Sequence, residues 1–88
     1  MQDMNEETQV SRGNRAEELI RSQTFQDALN DIQQFCIQAF LTSRYDDEKT
    51  REAAYYQASS VQQVKDLLNS WVAVKEQIIA SNDQSVED

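Results

Sequence analysis

Apolar positions recur at helical spacing in three stretches of the chain, and each stretch predicts a helix. The clearest covers residues 24–41, where Phe25, Ala28, Leu29, Ile32, Phe35, Cys36, Ala39 and Phe40 follow one another at steps of three and one. That series describes one face of a 3.6-residue helix, with Asn30, Asp31, Gln33, Gln34 and Gln38 falling off it. Ile37 and Leu41 widen the stripe towards its end, so this helix is expected to be covered on more than one side. Thr24, with Asp27 three residues later, reads as its start.

After the break Thr42-Ser43-Arg44-Tyr45-Asp46, a long helix is predicted over 47–80, about 50 Å at 1.5 Å per residue. Asp46 or Asp47 caps it, and Glu48 puts negative charge in the first turn, where the helix dipole favours it. From Val61 through Val64, Leu68 and Trp71 the apolar steps are three, four and three, and Lys75 fills the slot before Ile78. This is a short coiled-coil-like seam. A brief helix over 14–21 precedes both, capped by Asn14 with Glu17 three residues on, and it contributes Ala16, Leu19 and Ile20.

The expected fold is therefore all-α: an antiparallel hairpin of 24–41 and 47–80 with a short N-terminal helix over 14–21. In that arrangement Phe25, Phe35 and Phe40 mesh with the alanines and valines of the long helix. Leu19 and Ile20 cover its far end at Trp71, Val74 or Ile78. The strips left over, Ile37 with Leu41 and Val72 with Ile79, are where a second copy would dock.

Composition narrows the class further. Among 88 residues there is one glycine, no proline and no histidine, too few turn formers for a sheet protein. Sixteen acidic side chains face eight basic ones, for a net charge of −8. Residues 1–13 hold three acids and one base, and 81–88 hold three acids. These ends are expected to be disordered acidic tails around a single helical domain over 14–80. No apolar run is long enough for a membrane span, and the acidic opening is unlike a signal peptide, so a cytoplasmic location is expected.

Candidate chemistry is sparse. Without histidine or a glycine-rich loop, neither near-neutral proton transfer nor phosphate cradling has its usual residues, and no enzyme activity or cofactor is expected. Cys36 lies on the Phe-rich face, where packing is its expected role. Asp27 and Asp31 share a helix face, but a metal site needs more oxygen ligands than they offer. Around the break, Arg44, Tyr45, Lys49, Arg51, Tyr55 and Tyr56 interleave basic and aromatic groups. Asp46, Asp47, Glu48 and Glu52 cancel that charge, which points to a protein contact rather than to nucleic acid. Trp71 is the expected seam anchor, and Lys75 is expected to snorkel or to pair with an acid on a facing helix. The candidate interface is Ile37, Leu41, Arg44, Tyr45, Tyr55, Tyr56, Trp71, Val72 and Ile79.

The stretches AEELIRSQTFQDALNDIQQFCIQAF, DDEKTREAAYYQ and VKDLLNSW resemble small acidic helical accessory proteins encoded by tailed bacteriophages. The likeness lies in Ala16 to Ile20, Phe25 with Ala28, and Asp46 to Glu52, and it spans about residues 16 to 72. Cys36 and a glutamine-rich surface depart from the pattern. The resemblance implies a phage structural or virion-assembly protein, in the host cytoplasm or the virion, acting on itself or on another phage or host protein. The alternative is an acidic host-directed inhibitor that mimics DNA, which would need carboxylates arrayed along the folded body.

Overall fold

Local capping decides where each helix begins. In a computed structural model that describes residues 5–86, Asn5 accepts a hydrogen bond from the Thr8 amide at 2.8 Å. Helix α1 accordingly runs Glu6–Arg21, with Glu6 and Glu7 in its first turn. This corrects the expected start at Asn14. The cap lies nine residues earlier, and Gly13 does not interrupt the helix. Ser22 leaves helical geometry (φ −68°, ψ 119°) and caps α2, Gln23–Thr42, by accepting from the Phe25 amide at 3.2 Å. At the far end the Thr42 hydroxyl donates to the Gln38 carbonyl and Ser43 to that of Phe40.

Helix α3, Glu48–Val86, is capped by Asp47. One carboxylate oxygen accepts from the Thr50 amide at 3.1 Å and the other from its hydroxyl at 2.6 Å. These two bonds, the hydroxyl's first, hold the Asp47 carboxyl below its ordinary range. The Arg51 guanidinium then donates to the carbonyls of Arg44 and Tyr45, at 2.6 and 3.1 Å, and ties the link to the helix it precedes.

The described residues form three helices and no strand. Both expected tails are partly helical: 6–13 belong to α1 and 81–86 to α3, while 1–4 and 87–88 lie outside the described residues. The chain divides into two compact units. Unit 1 joins α1 to α3 from Asp66 onwards, and unit 2 is Ser22–Lys65.

Each unit is held by very few buried side chains. In unit 2 they are Leu29 and Cys36 of α2 with Ala54 and Val61 of α3; in unit 1 they are Ala16 with Leu68, joined by Gly13 and by Lys75, only 8% exposed. The α3 positions 54, 61, 68 and 75 are spaced by seven, and so are Leu29 and Cys36. Such a seven-residue repeat is the signature of a coiled-coil seam. It displaces the expected core phenylalanines. Phe35 sits about 100° round the helix from Cys36 and is 75% exposed; Phe40 is also exposed and Phe25 half-buried.

Gly13 lets the unit 1 helices approach closely. A β-carbon built there would lie 2.5 Å from that of Lys75 and 2.9 Å from the Trp71 carbonyl oxygen. Gly13→Ala is therefore expected to destabilise the protein. Overpacking costs about 1–3 kcal/mol, against a helix-propensity gain of about 1 kcal/mol. Thermal unfolding followed by circular dichroism should give a lower midpoint for Gly13→Ala and none of that loss for Asn14→Ala, whose site is exposed.

Candidate functional site

The narrow seam leaves the flanks of unit 2 uncovered. On one flank Ile32 and Phe35 of α2 and Tyr56, Gln57, Ser60 and Val61 of α3 line an apolar groove of about 600 Å³. No charged side chain lines it. Phe35 also forms the wall of a smaller cleft of about 320 Å³, bounded by Asp31, Gln34 and Gln38. Cys36 Sγ donates to Gln57 Oε1 at 3.7 Å, and Lys65 Nζ donates to Gln33 Oε1 at 3.4 Å. The thiol is buried and faces this glutamine.

The other flank of α2 carries Ile37 and Leu41, on the opposite side of Cys36 from Phe35. Both are exposed, Leu41 at 70%. Beyond them Arg44 is exposed and Tyr45 stands 98% in solvent. Tyr55 and Tyr56, also exposed, meet edge to face with centroids 5.7 Å apart. The predicted interface residues of unit 2 are thus at the surface but do not make one patch: Tyr56 belongs to the groove, and Ile37 and Leu41 lie on the other flank. Asp27 and Asp31 are exposed, and Asp27 Oδ1 accepts from the Gln23 side-chain Nε2 at 2.9 Å.

In unit 1, Trp71 is half-buried beneath the guanidinium of Arg12, whose carbon lies 4.5 Å from the ring centroid. Val72 is half-buried and Ile79 exposed. Lys75 Nζ donates to Glu17 Oε1 at 2.9 Å, so the cation in the seam has its acid on the facing helix. That bond is the main cause holding the Glu17 carboxyl below its ordinary range, with the positive charges of Lys75 and Arg21 adding to it against some desolvation.

Ile32 and Phe35 are exposed although a 3.6-residue count places them on the same apolar face as Leu29 and Cys36, and Gln57 and Ser60, polar positions of α3, join them in the groove without any apolar spacing to mark them. The interval of seven marks the buried positions Ala54, Val61, Leu68 and Lys75 on α3, but within α2 Ala28/Phe35 and Phe25/Ile32 stand seven apart just as Leu29/Cys36 do, so it does not separate buried from exposed positions there. No family model, curated protein or solved structure matches the chain. Among the described residues no helix is long and apolar enough to cross a membrane.

The Glu17–Lys75 pair predicts an acid-side loss of stability. A carboxyl lowered by folding contributes fully above its unfolded value, ordinarily 4.5, and loses that contribution as pH falls through the folded value. Melting temperature measured from pH 7 downwards should therefore drop more steeply in the parent than in Glu17→Gln below about pH 4.5. Parallel curves would show that the pair adds no pH-dependent stability.

Proposed function

We propose that this chain is a non-enzymatic helical assembly protein that works through protein–protein contacts, with unit 2 as its docking face. The observation that carries the proposal is Phe35, a large aromatic ring 75% in solvent beside an uncharged groove. Large exposed apolar side chains gathered around a groove mark interaction surfaces. Aromatic anchors of this kind carry a large share of binding energy once they are desolvated.

The finer architecture that goes with this reading is an antiparallel pairing of α2 with the first part of α3. Its support is the order of contacts: Gln33, earlier on α2, meets Lys65, and Cys36, later, meets Gln57, which precedes Lys65. A hairpin of this kind offers two open flanks to a further helix, and a second copy supplies one.

Charge favours unit 2 over unit 1 as the place of contact. Ser22–Lys65 holds six acidic and four basic side chains, whereas the chain as a whole carries sixteen and eight. Copies meeting at unit 2 bring the least like charge together. The phage-assembly setting rests on the resemblance over residues 16–72. The DNA-mimic alternative asks for a free row of carboxylates, and two of the body's acids, Glu17 and Asp47, are held by Lys75 and Thr50.

Size-exclusion chromatography with light scattering tests the proposal. The parent should elute as an oligomer, and Phe35→Asp should elute as a monomer with unchanged helical content, since its ring contributes little to the seam. A parent that stays monomeric at high concentration, or a Phe35→Asp variant that still assembles, removes unit 2 as the self-docking face.

A further inference from the structure

Unit 1 carries a cleft that the protein-contact reading leaves unused. It measures about 270 Å³ and is lined by Arg12, Arg15, Ala16 and Leu19 of α1 and by Leu68 and Trp71 of α3. Its floor is apolar and its only charges are two guanidinium groups. Arg12 stacks over Trp71, and its Nε is buried without any hydrogen-bond partner. Arg15, three residues on and so on the same helix face, is exposed and joins no ion pair among the described residues. Glu17 is engaged by Lys75, and Glu18 pairs with neither arginine.

Two arginines side by side that join no ion pair among the described residues are out of place in a chain with twice as many acidic as basic groups. A buried polar atom without a partner asks for an explanation, and a guanidinium is shaped to take a carboxylate through two parallel hydrogen bonds. We propose that this cleft binds a small organic carboxylate. Its aryl or branched alkyl body lies against Leu19, Leu68 and Trp71, and its carboxylate bridges Arg12 and Arg15. The volume is slightly below the roughly 300 Å³ at which drug-sized pockets begin, so it suits a group of one ring rather than a nucleotide. An apolar floor sets the ligand apart from a bare anion such as phosphate.

Phenylacetate is a suitable probe, and Trp71, the one tryptophan of the chain, is a built-in reporter. Titration of the full-length protein should change Trp71 emission and shift the indole N–H resonance saturably, with a dissociation constant on the order of a millimolar for so few atoms. Phenylacetamide, which lacks the charge, and inorganic phosphate, which lacks the apolar body, should each bind about tenfold more weakly or not at all. Arg12→Gln also loses the ring contact, so the deciding variant is Arg15→Gln: its site is exposed, its melting curve should match the parent's, and its affinity for phenylacetate should fall about tenfold. Absence of a saturable response, equal binding of the amide or of phosphate, or an Arg15→Gln variant with parental affinity would each overturn the assignment.

Discussion

Four positions of α3 at intervals of seven, Ala54, Val61, Leu68 and Lys75, set what every other part of the molecule can do. Two helices in contact bury one stripe each, and a stripe with this repeat is narrow. Leu29 and Cys36 answer it in unit 2, and Gly13 and Ala16 answer it in unit 1. No large side chain among the described residues is completely enclosed. An 88-residue chain of this kind buries a modest fraction of its surface, and the apolar side chains excluded from the stripe must face water or another molecule.

The two units use that stripe differently. In unit 2 the buried residues are apolar, and the polar contacts Cys36–Gln57 and Gln33–Lys65 border them. In unit 1 the stripe ends on a lysine, tolerable because Glu17 reaches it from the facing helix. A lone cation in a seam disfavours other registers, since a slip of one turn would leave it buried without its acid. Gly13 enforces the same register sterically, because only a residue without a side chain fits between Lys75 and the Trp71 carbonyl.

Both proposed binding surfaces follow from what the narrow core leaves out. The groove beside Phe35 is apolar and uncharged and suits a helix from another polypeptide, whereas the cleft beneath Arg12 and Arg15 is small and cationic and suits a carboxylate. The first surface arises from excess apolar residues on α2, and the second from Arg12 and Arg15 of α1, which join no ion pair among the described residues. They lie in different units, so loss of either leaves the evidence for the other intact.

Helix content, the place of the break before Asp47 and the burial of Cys36 were legible in the residue pattern, because spacing and capping act over a few neighbours. Of the nine interface candidates, Ile37, Leu41, Arg44, Tyr45, Tyr55, Tyr56 and Ile79 are exposed, and Trp71 and Val72 are half-buried. The start of α1 is not legible in the sequence because Asn5 and Asn14 offer equivalent caps, and only packing makes a glycine inside the helix an advantage. The exposure of Phe35 is not legible because local periodicity gives a helix an apolar side but does not say how much of it a partner covers. That choice, between a wide face and a seam one residue deep, belongs to the tertiary structure: it depends on which side chain on α3 stands opposite, and no interval within α2 contains that information.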